Sequence, residues 1–382
     1  MATITNSLVE AAAALVPMLR KAAPAAEKAR RVPQESLDAL SAAGIFTMTA
    51  PKAYGGVEAD FQTQCEVLAE IARGCPSTSW VATIYSAMSW LVGVFPDETQ
   101  EEIYANGDPR IAGVFSPTGT AAQRDGGFVV NGRWPFNTGC HGATWTVINV
   151  LVGEMPTCMI AKSADLTILD DWYATGMSAT GSNTVVADNV FVPGRRAMPL
   201  PHMLEGKYPA RHNAGNPYFK YPLAPVLTVN AGGTPLGIAR GAWDMFIERL
   251  PGRGITYTTY TNKAEAPVTH LQMAEASMKI DSSDAHVRLA TSLLDRAPNG
   301  SMTMQERVKA RAHIAYSTGL AREATDILFY ASGASSIQEH MAIQRYQRDI
   351  QALSNHAIMH PQTGLELYGR ILCGLSPNTL LY

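Results

Sequence analysis

The sequence predicts an α+β fold in which a helical region, a β region and a second helical region follow one another. Alanine-rich stretches near the N-terminus are interrupted by Pro33 and Gly44, as expected for short helices. The middle of the chain has short runs of β-branched and aromatic residues without helical patterns between them, which favours an antiparallel sheet. Later, apolar residues recur three and four apart, which is typical of a helical bundle. The predicted domains are therefore 1–110, 111–220 and 221–382.

The longest apolar stretch runs from Trp80 to Phe95 and includes the hydroxyl residues Thr83, Ser86 and Ser89. It is shorter than the roughly 20 residues that a membrane span needs, so it predicts a buried helix. The N-terminus has no early basic residue and does not resemble a signal peptide. We expect a cytoplasmic protein that does not bind a membrane.

In the β region, the pair Asn131-Gly132 lies between the apolar runs 128–130 and 134–136. An Asn-Gly pair in this setting predicts a tight β-hairpin turn.

In the second helical region, three sets of apolar residues have helical spacing and are expected to face the core of the bundle. They are Leu236, Ala239, Trp243, Phe246 and Leu250; Leu271, Ala274, Met278, Ala285 and Leu289; and Ile343, Tyr346, Ile350, Leu353 and Ala357.

The composition excludes several classes of function. The net charge is −3 without a basic block, so nucleic-acid binding is not expected. Charged residues make up only 16% of the chain, against about 25% in a typical soluble protein. A chain with few charged residues has fewer of them to cover its surface. This favours an oligomer, in which part of that surface is buried between subunits.

The five cysteines form no CxxC pair, and their odd number argues against a disulfide framework, as in reduced cytoplasmic proteins. The nine histidines form no HExxH motif, so we predict no metal. Because no glycine-rich fingerprint follows a strand and opens a helix, we do not expect NAD(P)H to bind this chain.

Three local motifs, in this order, resemble the acyl-CoA dehydrogenase superfamily. They are the turn at 50–56, the segment Asn131-Gly132-Arg133-Trp134, and the pair 181–184 and 189–193. The resemblance implies an N-terminal helical domain, a central antiparallel β domain and a C-terminal four-helix bundle.

Two branches of that superfamily compete. In many dehydrogenases a catalytic glutamate shortly follows an Arg-Asp pair. Here Arg348-Asp349 is followed by 350–357, which contains no carboxylate but includes His356. The stretches 134–140 and 172–182 resemble the oxygenase components of two-component flavin monooxygenases, such as hydroxyphenylacetate hydroxylase and the naphthocyclinone-type hydroxylases.

This second resemblance implies a monooxygenase that uses reduced FAD or FMN and O2. It would hydroxylate an aromatic or polycyclic small molecule through a flavin 4a-hydroperoxide. A separate flavin reductase would supply the reduced flavin, and a homotetramer is expected. The alternatives are an acyl-CoA dehydrogenase or oxidase with bound FAD, an N-oxygenase acting on an amine, and a binding module without activity.

The resemblance also assigns roles to residues. Thr138 is expected to offer a hydroxyl donor near the flavin N5 atom, with Ser116 as a second candidate. His356 is the expected base, with His360 and His141 as rivals, because imidazole titrates near neutral pH. The alternatives are an ordinary strand hydroxyl for Thr138 and a hydrogen-bonded structural histidine for His356.

The remaining assignments concern binding. Met88 stands where several phenol hydroxylases of this type have a histidine, which argues against a simple phenol as substrate. The expected cofactor-binding residues are Thr138, Gly139, Cys140, Thr180, Ser182, Arg253 and Tyr257, and the expected substrate-binding residues are Met88, His141 and His356.

Overall fold

The computed structural model describes residues 2–382 and begins with helices, as the sequence predicts. They are α1 (Ala2–Ala29), α2 (Gln34–Ala42), α3 (Phe61–Gly74), α4 (Pro76–Val92) and α5 (Asp97–Tyr104). Asp60 caps α3 by accepting a hydrogen bond from the Thr63 backbone N–H, and Pro76 opens α4 after a break at Cys75.

Helix α4 confirms the buried helix predicted from the apolar stretch. All its residues except Ile84 are buried. Its hydroxyls find partners inside the protein, because Ser79 and Thr83 both bond to the Thr234 hydroxyl, at 2.8 and 2.9 Å. These bonds tie α4 to the last helical part of the chain at Thr234. No helix within residues 2–382 is long and apolar enough to cross a membrane.

The middle of the chain forms one sheet. Its strands are β1 (Ile111–Gly113), β2 (Gly119–Arg124), β3 (Gly127–Trp134), β4 (Trp145–Val152), β5 (Met155–Lys162), β6 (Thr167–Ile168), β7 (Val185–Pro193) and β8 (Ala197–Pro199). The order is β6-β7-β3-β2-β4-β5-β8, with β1 also beside β4.

The sheet is mixed, which corrects the prediction of a purely antiparallel domain. Five strand pairs are antiparallel, but β1 and β2 each run parallel to β4. The reason is the segment 135–144, which carries the chain from β3 past its hairpin partner β2. Strand β4 therefore enters beside β2 and runs in the same direction.

The predicted hairpin turn at Asn131-Gly132 is wrong. The β2–β3 turn lies at Asp125-Gly126, where Gly126 has a φ of +78°. Asn131 and Gly132 lie inside β3, where the pairing with β7 is shifted by an irregularity. A Cβ on Gly132 would lie 2.5 Å from the Gly119 Cα, so this glycine permits close strand approach and not a turn.

The last part of the chain is helical. Its helices are α6 (Leu200–Leu204), α7 (Leu223–Asn230), α8 (Gly233–Glu248), α9 (Pro267–Asp295), α10 (Met304–Ala331), α11 (Ala342–Leu353) and α12 (Pro361–Leu372). Helices α8 to α11 pack on one another as a bundle. The first predicted core stripe is confirmed by the buried Leu236, Ala239 and Phe246. The third is confirmed from Ile343 to Leu353, but Ala357 lies beyond the end of α11 and is exposed.

The second predicted stripe is wrong, because all five of its residues are exposed. We call Leu271, Ala274, Met278, Ala285 and Leu289 the outer stripe of α9. The buried face of α9 includes Ala276, Ile280, Val287 and Leu294 instead. Helix α9 carries small or apolar residues on two faces, so spacing alone does not identify the face that packs against α10.

Candidate active site

Three hydroxyl residues from two distant segments meet in a single hydrogen-bonded line. The Thr138 Oγ1 lies 2.8 Å from the Ser182 Oγ, which lies 2.7 Å from the Thr180 Oγ1. Thr180 Oγ1 in turn donates to the Met177 carbonyl at 2.8 Å. We call these three residues the hydroxyl chain. All three are buried, and Thr138, the most accessible, is 6% exposed.

The loop that carries Thr138 is held against α4. Gly139 has a φ of +76°, and a Cβ there would lie 2.8 Å from the Tyr85 ring. The Tyr85 hydroxyl donates to the Gly139 carbonyl at 2.5 Å, and the Gly139 N–H donates to the Thr180 carbonyl at 2.9 Å. Burial raises the pKa of the Cys140 thiol to about 12, so this thiol stays protonated and donates to the Gly181 carbonyl.

The other end of the hydroxyl chain is docked on α11. The Met177 N–H donates to Oδ1 of the buried Asp349. Burial raises the pKa of Asp349 to about 7, although the bond from Met177 opposes that rise. A Cβ on Gly176 would lie 2.1 Å from the Arg348 carbonyl oxygen. The Arg348-Asp349 pair thus anchors the segment that orients the hydroxyl chain.

Gly176→Ala should therefore lower the melting temperature by several degrees. The new methyl group collides with backbone, which has no rotamer to escape, and overpacking of this kind costs about 1–3 kcal/mol. Gly369→Ala is the matched control, because nothing lies within 4 Å of its Cβ and it lies inside α12. The two variants are compared by thermal unfolding, and equal melting temperatures would contradict the docking of 176 on α11.

His356 lies between α11 and α12, not on the helix of Arg348-Asp349 as the sequence suggested, because α11 ends at Leu353. Its ring meets the Trp80 ring of α4 edge to face, with centroids 5.0 Å apart. The side chain is accessible to solvent, yet protein surrounds it closely. Burial, followed by the charge of Arg311, lowers the pKa of His356 to about 4. His356 is therefore neutral at neutral pH.

Arg311 holds the segment that carries His356. Its Nη2 donates to the Ala357 carbonyl at 3.0 Å, and its Nη1 donates to the Leu381 carbonyl. Arg311 is 7% exposed, and burial lowers its pKa. This one side chain links α10, the turn after α11 and the C-terminal segment.

The rival histidines have structural partners. His360 Nδ1 accepts a hydrogen bond from the Thr363 N–H and so caps α12. His356 and His360 are four residues apart, but the segment between them is not helical. Within residues 2–382, no group of three or more histidine, cysteine or acidic side chains is arranged to hold a metal.

His141 has a defined tautomer when neutral. The Asn183 Nδ2 donates to the Leu169 carbonyl at 2.7 Å, which leaves the Asn183 Oδ1 as an acceptor. His141 Nε2 lies 2.9 Å from that oxygen and must carry the proton. His141 lines a small recess next to the hydroxyl chain, together with Arg31, Val32, Leu37, Val81, Tyr85, Gly139, Gly142 and Thr180.

Two family models match the chain. The acyl-CoA dehydrogenase N-terminal domain matches residues 8–107, and the acyl-CoA dehydrogenase C-terminal domain matches residues 230–361. A flavin-dependent monooxygenase oxygenase subunit, HsaA of Rhodococcus jostii (strain RHA1), is 31% identical over 93% of this chain and 95% of its own length.

The chain belongs to the flavin-dependent monooxygenases of the acyl-CoA dehydrogenase superfamily.

Two further proteins are similar along nearly their whole length. The FADH2-dependent resorcinol hydroxylase oxygenase component of Rhizobium sp. (strain MTP-10005) is 28% identical over 97% of this chain and 95% of its own. The structure of XiaF from Streptomyces sp. in complex with FADH2 and glycerol superposes with a TM-score of 0.92. It is 28% identical and covers 99% of this chain and 98% of its own. The predicted superfamily, branch and overall fold are confirmed.

A monooxygenase of this family needs a surface for the planar ring system of its flavin, and the surroundings of Thr138 can be tested for one. Phe136 supplies an exposed aromatic ring there, 70% accessible, and it packs edge to face on Trp172 at 5.8 Å. Its φ of +61° is unfavourable for a bulky residue and marks a backbone held in a strained form. An aromatic surface next to a buried hydroxyl fits an isoalloxazine ring, so the residues present suit a flavin.

Several predicted residues have surroundings that do not test their assigned roles. Met88 is buried in the core, and a Cβ on Gly113 would meet its sulfur at 2.5 Å, so it packs between α4 and β1. Ser116 is exposed on the loop after β1. Arg253 and Tyr257 are exposed on the loop between α8 and α9. The described contacts of these three exposed residues include none with the hydroxyl chain or His356, and their assigned roles stay predictions.

Sequence reasoning missed three residues that shape the monooxygenase site. Trp80 and Tyr85 were assigned only to a buried helix, and their spacing of five puts them about 140° apart around α4, so no common face marks them. Arg311 lies in an ordinary helical stretch of α10, and no local pattern distinguishes it from a surface arginine.

Proposed function

We propose that this protein is the oxygenase component of a two-component system that hydroxylates an aromatic or polycyclic small molecule. Bound reduced FAD or FMN supplies the electrons that activate O2. The observation that carries the proposal is a neutral imidazole, His356, which packs on Trp80 and follows an Arg348-Asp349 pair that offers no free carboxylate base. Asp349 is buried and already accepts the Met177 N–H.

The residues of this chain have separable tasks in that reaction. Thr138 bonds to the ring edge of the flavin, and Gly139 and Cys140 hold its loop in place. His356 accepts the proton of a phenol or of an indole-type nitrogen, which raises the electron density of the ring to be hydroxylated. Trp80 packs edge to face on the His356 ring and orients it.

Two related proteins indicate the size of the substrate. They are a p-hydroxyphenylacetate 3-hydroxylase oxygenase component and an indole-3-acetate monooxygenase, both from Acinetobacter baumannii. Their names describe substrates with one or two fused rings and an ionisable or polar ring substituent. We infer a substrate of this kind, without assigning the compound.

The decisive experiment gives the purified protein reduced flavin, O2 and a panel of phenols, indoles and amines. Formation of a hydroxylated phenol or indole supports the proposal. Oxidation of an acyl-CoA with an artificial electron acceptor would overturn it in favour of a dehydrogenase. Hydroxylamine formation from the amines alone would replace it with N-oxygenation.

A separate flavin reductase is the expected partner, since the sequence lacks the nucleotide fingerprint that NAD(P)H binding requires. We place both proteins in the cytoplasm. All five cysteines are free, as expected where thiols are kept reduced.

A cluster of cations near Arg253 supports its predicted role toward the flavin phosphates. Burial and then the charge of Arg253 lower the pKa of both Arg249 and Lys263, and within residues 2–382 no salt bridge to a carboxylate neutralises these three cations. Arg249 also has a buried Nη1 without a hydrogen-bond partner. We infer that this cluster would hold the phosphates of the flavin.

We propose that the protein forms a homotetramer through the outer stripe of α9. Leu271 and Met278 are 73% and 65% exposed, which is costly for apolar side chains aligned on one helix face.

Met278→Glu should therefore reduce the assembly to smaller species in light scattering at micromolar concentration. Met155→Glu is the matched control, because Met155 is 48% exposed at a strand end outside the bundle. A monomeric wild type, or an unchanged mass for Met278→Glu, would contradict the proposal.

A further inference from the structure

The hydroxyl chain has one direction in which all three of its hydrogens are donated within the protein. Each hydroxyl carries one hydrogen, and a carbonyl oxygen accepts without donating. Thr180 donates its hydrogen to the Met177 carbonyl, so it accepts a hydrogen bond from Ser182. Ser182 thereby donates its own hydrogen to Thr180 and accepts a hydrogen bond from Thr138. The hydrogen of Thr138 consequently points into the protein, and its free lone pair is directed away from Ser182.

We propose that Thr180 and Ser182 are positioning residues that fix Thr138 as a hydrogen-bond acceptor and so make the site select reduced over oxidised flavin. This inference rests on the proposed function, in which Thr138 meets the flavin N5. It replaces two expectations from the sequence, namely a donor role for Thr138 and direct cofactor contacts for Thr180 and Ser182.

The selection follows from the chemistry of one flavin atom. The N5 of a reduced flavin carries a hydrogen, whereas the N5 of an oxidised flavin presents a lone pair. A fixed acceptor at Thr138 accepts a hydrogen bond from the N5 hydrogen of reduced flavin. It is repelled by the N5 lone pair of oxidised flavin. A buried polar group left without its partner is strongly disfavoured. From this contact alone we expect about a tenfold preference for reduced flavin.

The surroundings of the hydroxyl chain favour this direction of its hydrogen bonds. Ser182 is 4% and Thr180 is 1% exposed, so water does not compete for their hydrogens. The terminal acceptor is also immobile, because the Met177 N–H is bonded to Asp349 on α11. Within the part of the chain that the structure describes, neither Ser182 nor Thr180 has another side-chain acceptor in hydrogen-bonding range.

Thr180→Val tests the proposal at a residue that Thr138 does not touch. Valine keeps the shape of threonine but accepts no hydrogen bond. Ser182 then loses its acceptor and can donate to Thr138, whose hydrogen is released toward the flavin. The dissociation constant for oxidised flavin should fall about tenfold, and that for reduced flavin should rise.

Ser182→Ala should act in the same way, because it removes the acceptor of Thr138 directly. Thr180→Ser is the conservative control, since it keeps the hydroxyl and should keep the wild-type preference. Binding of FAD and of FMN is measured by fluorescence titration, aerobically for the oxidised form and anaerobically for the reduced form. Thermal unfolding of each variant establishes that it is folded.

The outcomes are distinct. A wild type that prefers reduced flavin, together with Thr180→Val and Ser182→Ala variants that bind oxidised flavin more tightly, supports the proposal. An unchanged ratio, or equal weakening toward both forms, overturns it and leaves the monooxygenase function standing. A wild type that binds neither form of FAD or FMN overturns the proposed function itself.

Discussion

His356→Ala should slow hydroxylation by about 10²–10⁴-fold, the usual cost of losing a general base. Reduced flavin should still be oxidised and O2 consumed, with hydrogen peroxide as the product. The measurement compares hydroxylated product with peroxide for each O2 consumed. A loss of product at constant O2 uptake separates loss of the base from general damage to the site.

The expected pH dependence of hydroxylation follows from the lowered pKa of His356. Burial lowers the pKa of His356 to about 4, so the side chain is in its proton-accepting form from about pH 5 upward. A phenolate that develops beside it raises that pKa again, because a nearby opposite charge favours the imidazolium. The rate with the wild type should therefore lack the decline near pH 6.5 that an ordinary histidine base would produce.

The lowered pKa of His356 also makes the free energy of unfolding depend on pH. The unfolded chain takes up a proton at His356 below about pH 6.5, whereas the folded chain does so only near pH 4. This group thus favours the folded state above pH 6.5, and that contribution is lost as the pH falls toward 4. His356→Ala should be less sensitive to acid over this interval.

His360→Asn is the matched control for His356→Ala. His360 accepts from the Thr363 N–H as the cap of α12, and asparagine preserves a capping acceptor. We expect near wild-type hydroxylation from this variant. If His356→Ala hydroxylates at the wild-type rate instead, His360 and His141 become the candidates for the base.

Much of the fold follows from sequence periodicity, but the choice of packing face does not. The core positions of α8 and α11 were predicted correctly because each helix has one continuous apolar stripe. Helix α9 has two apolar stripes. The sequence does not show that the stripe of Ile280, and not that of Met278, packs against the neighbouring helices. In the sheet, Asn131-Gly132 has hairpin composition, but Asp125-Gly126 supplies the turn because β2 ends at Arg124.

The candidate site was only partly predictable, because its residues are joined by tertiary packing. Family motifs placed Thr138, Thr180 and Ser182 in the site, and the structure brings them together across 44 residues of sequence. The direction of their hydrogen bonds depends on the Met177 carbonyl, which no motif reveals. The contact between Trp80 and His356 joins α4 to the turn after α11 and has no local signal at all.

Thr138→Ala should divert most of the consumed O2 to hydrogen peroxide. The side chain offers one fixed acceptor beside an aromatic surface, and its loss leaves the flavin N5 hydrogen without a partner. A buried group without its partner costs about 1–3 kcal/mol, or roughly 5–150-fold in the competing rates. The measurement is peroxide released per O2 consumed at saturating substrate.

The matched variants decide whether the hydroxyl or the packing of Thr138 is responsible. Thr138→Ser keeps a hydroxyl that can still donate to Ser182 Oγ, so product formation should stay close to wild type. Thr138→Val keeps the volume without the hydroxyl and should behave like Thr138→Ala. Equal peroxide release from wild type, Thr138→Ser and Thr138→Val would refute the role of the hydroxyl. Rescue by serine but not by valine assigns the effect to the oxygen atom at the end of the hydroxyl chain, where its lone pair faces outward.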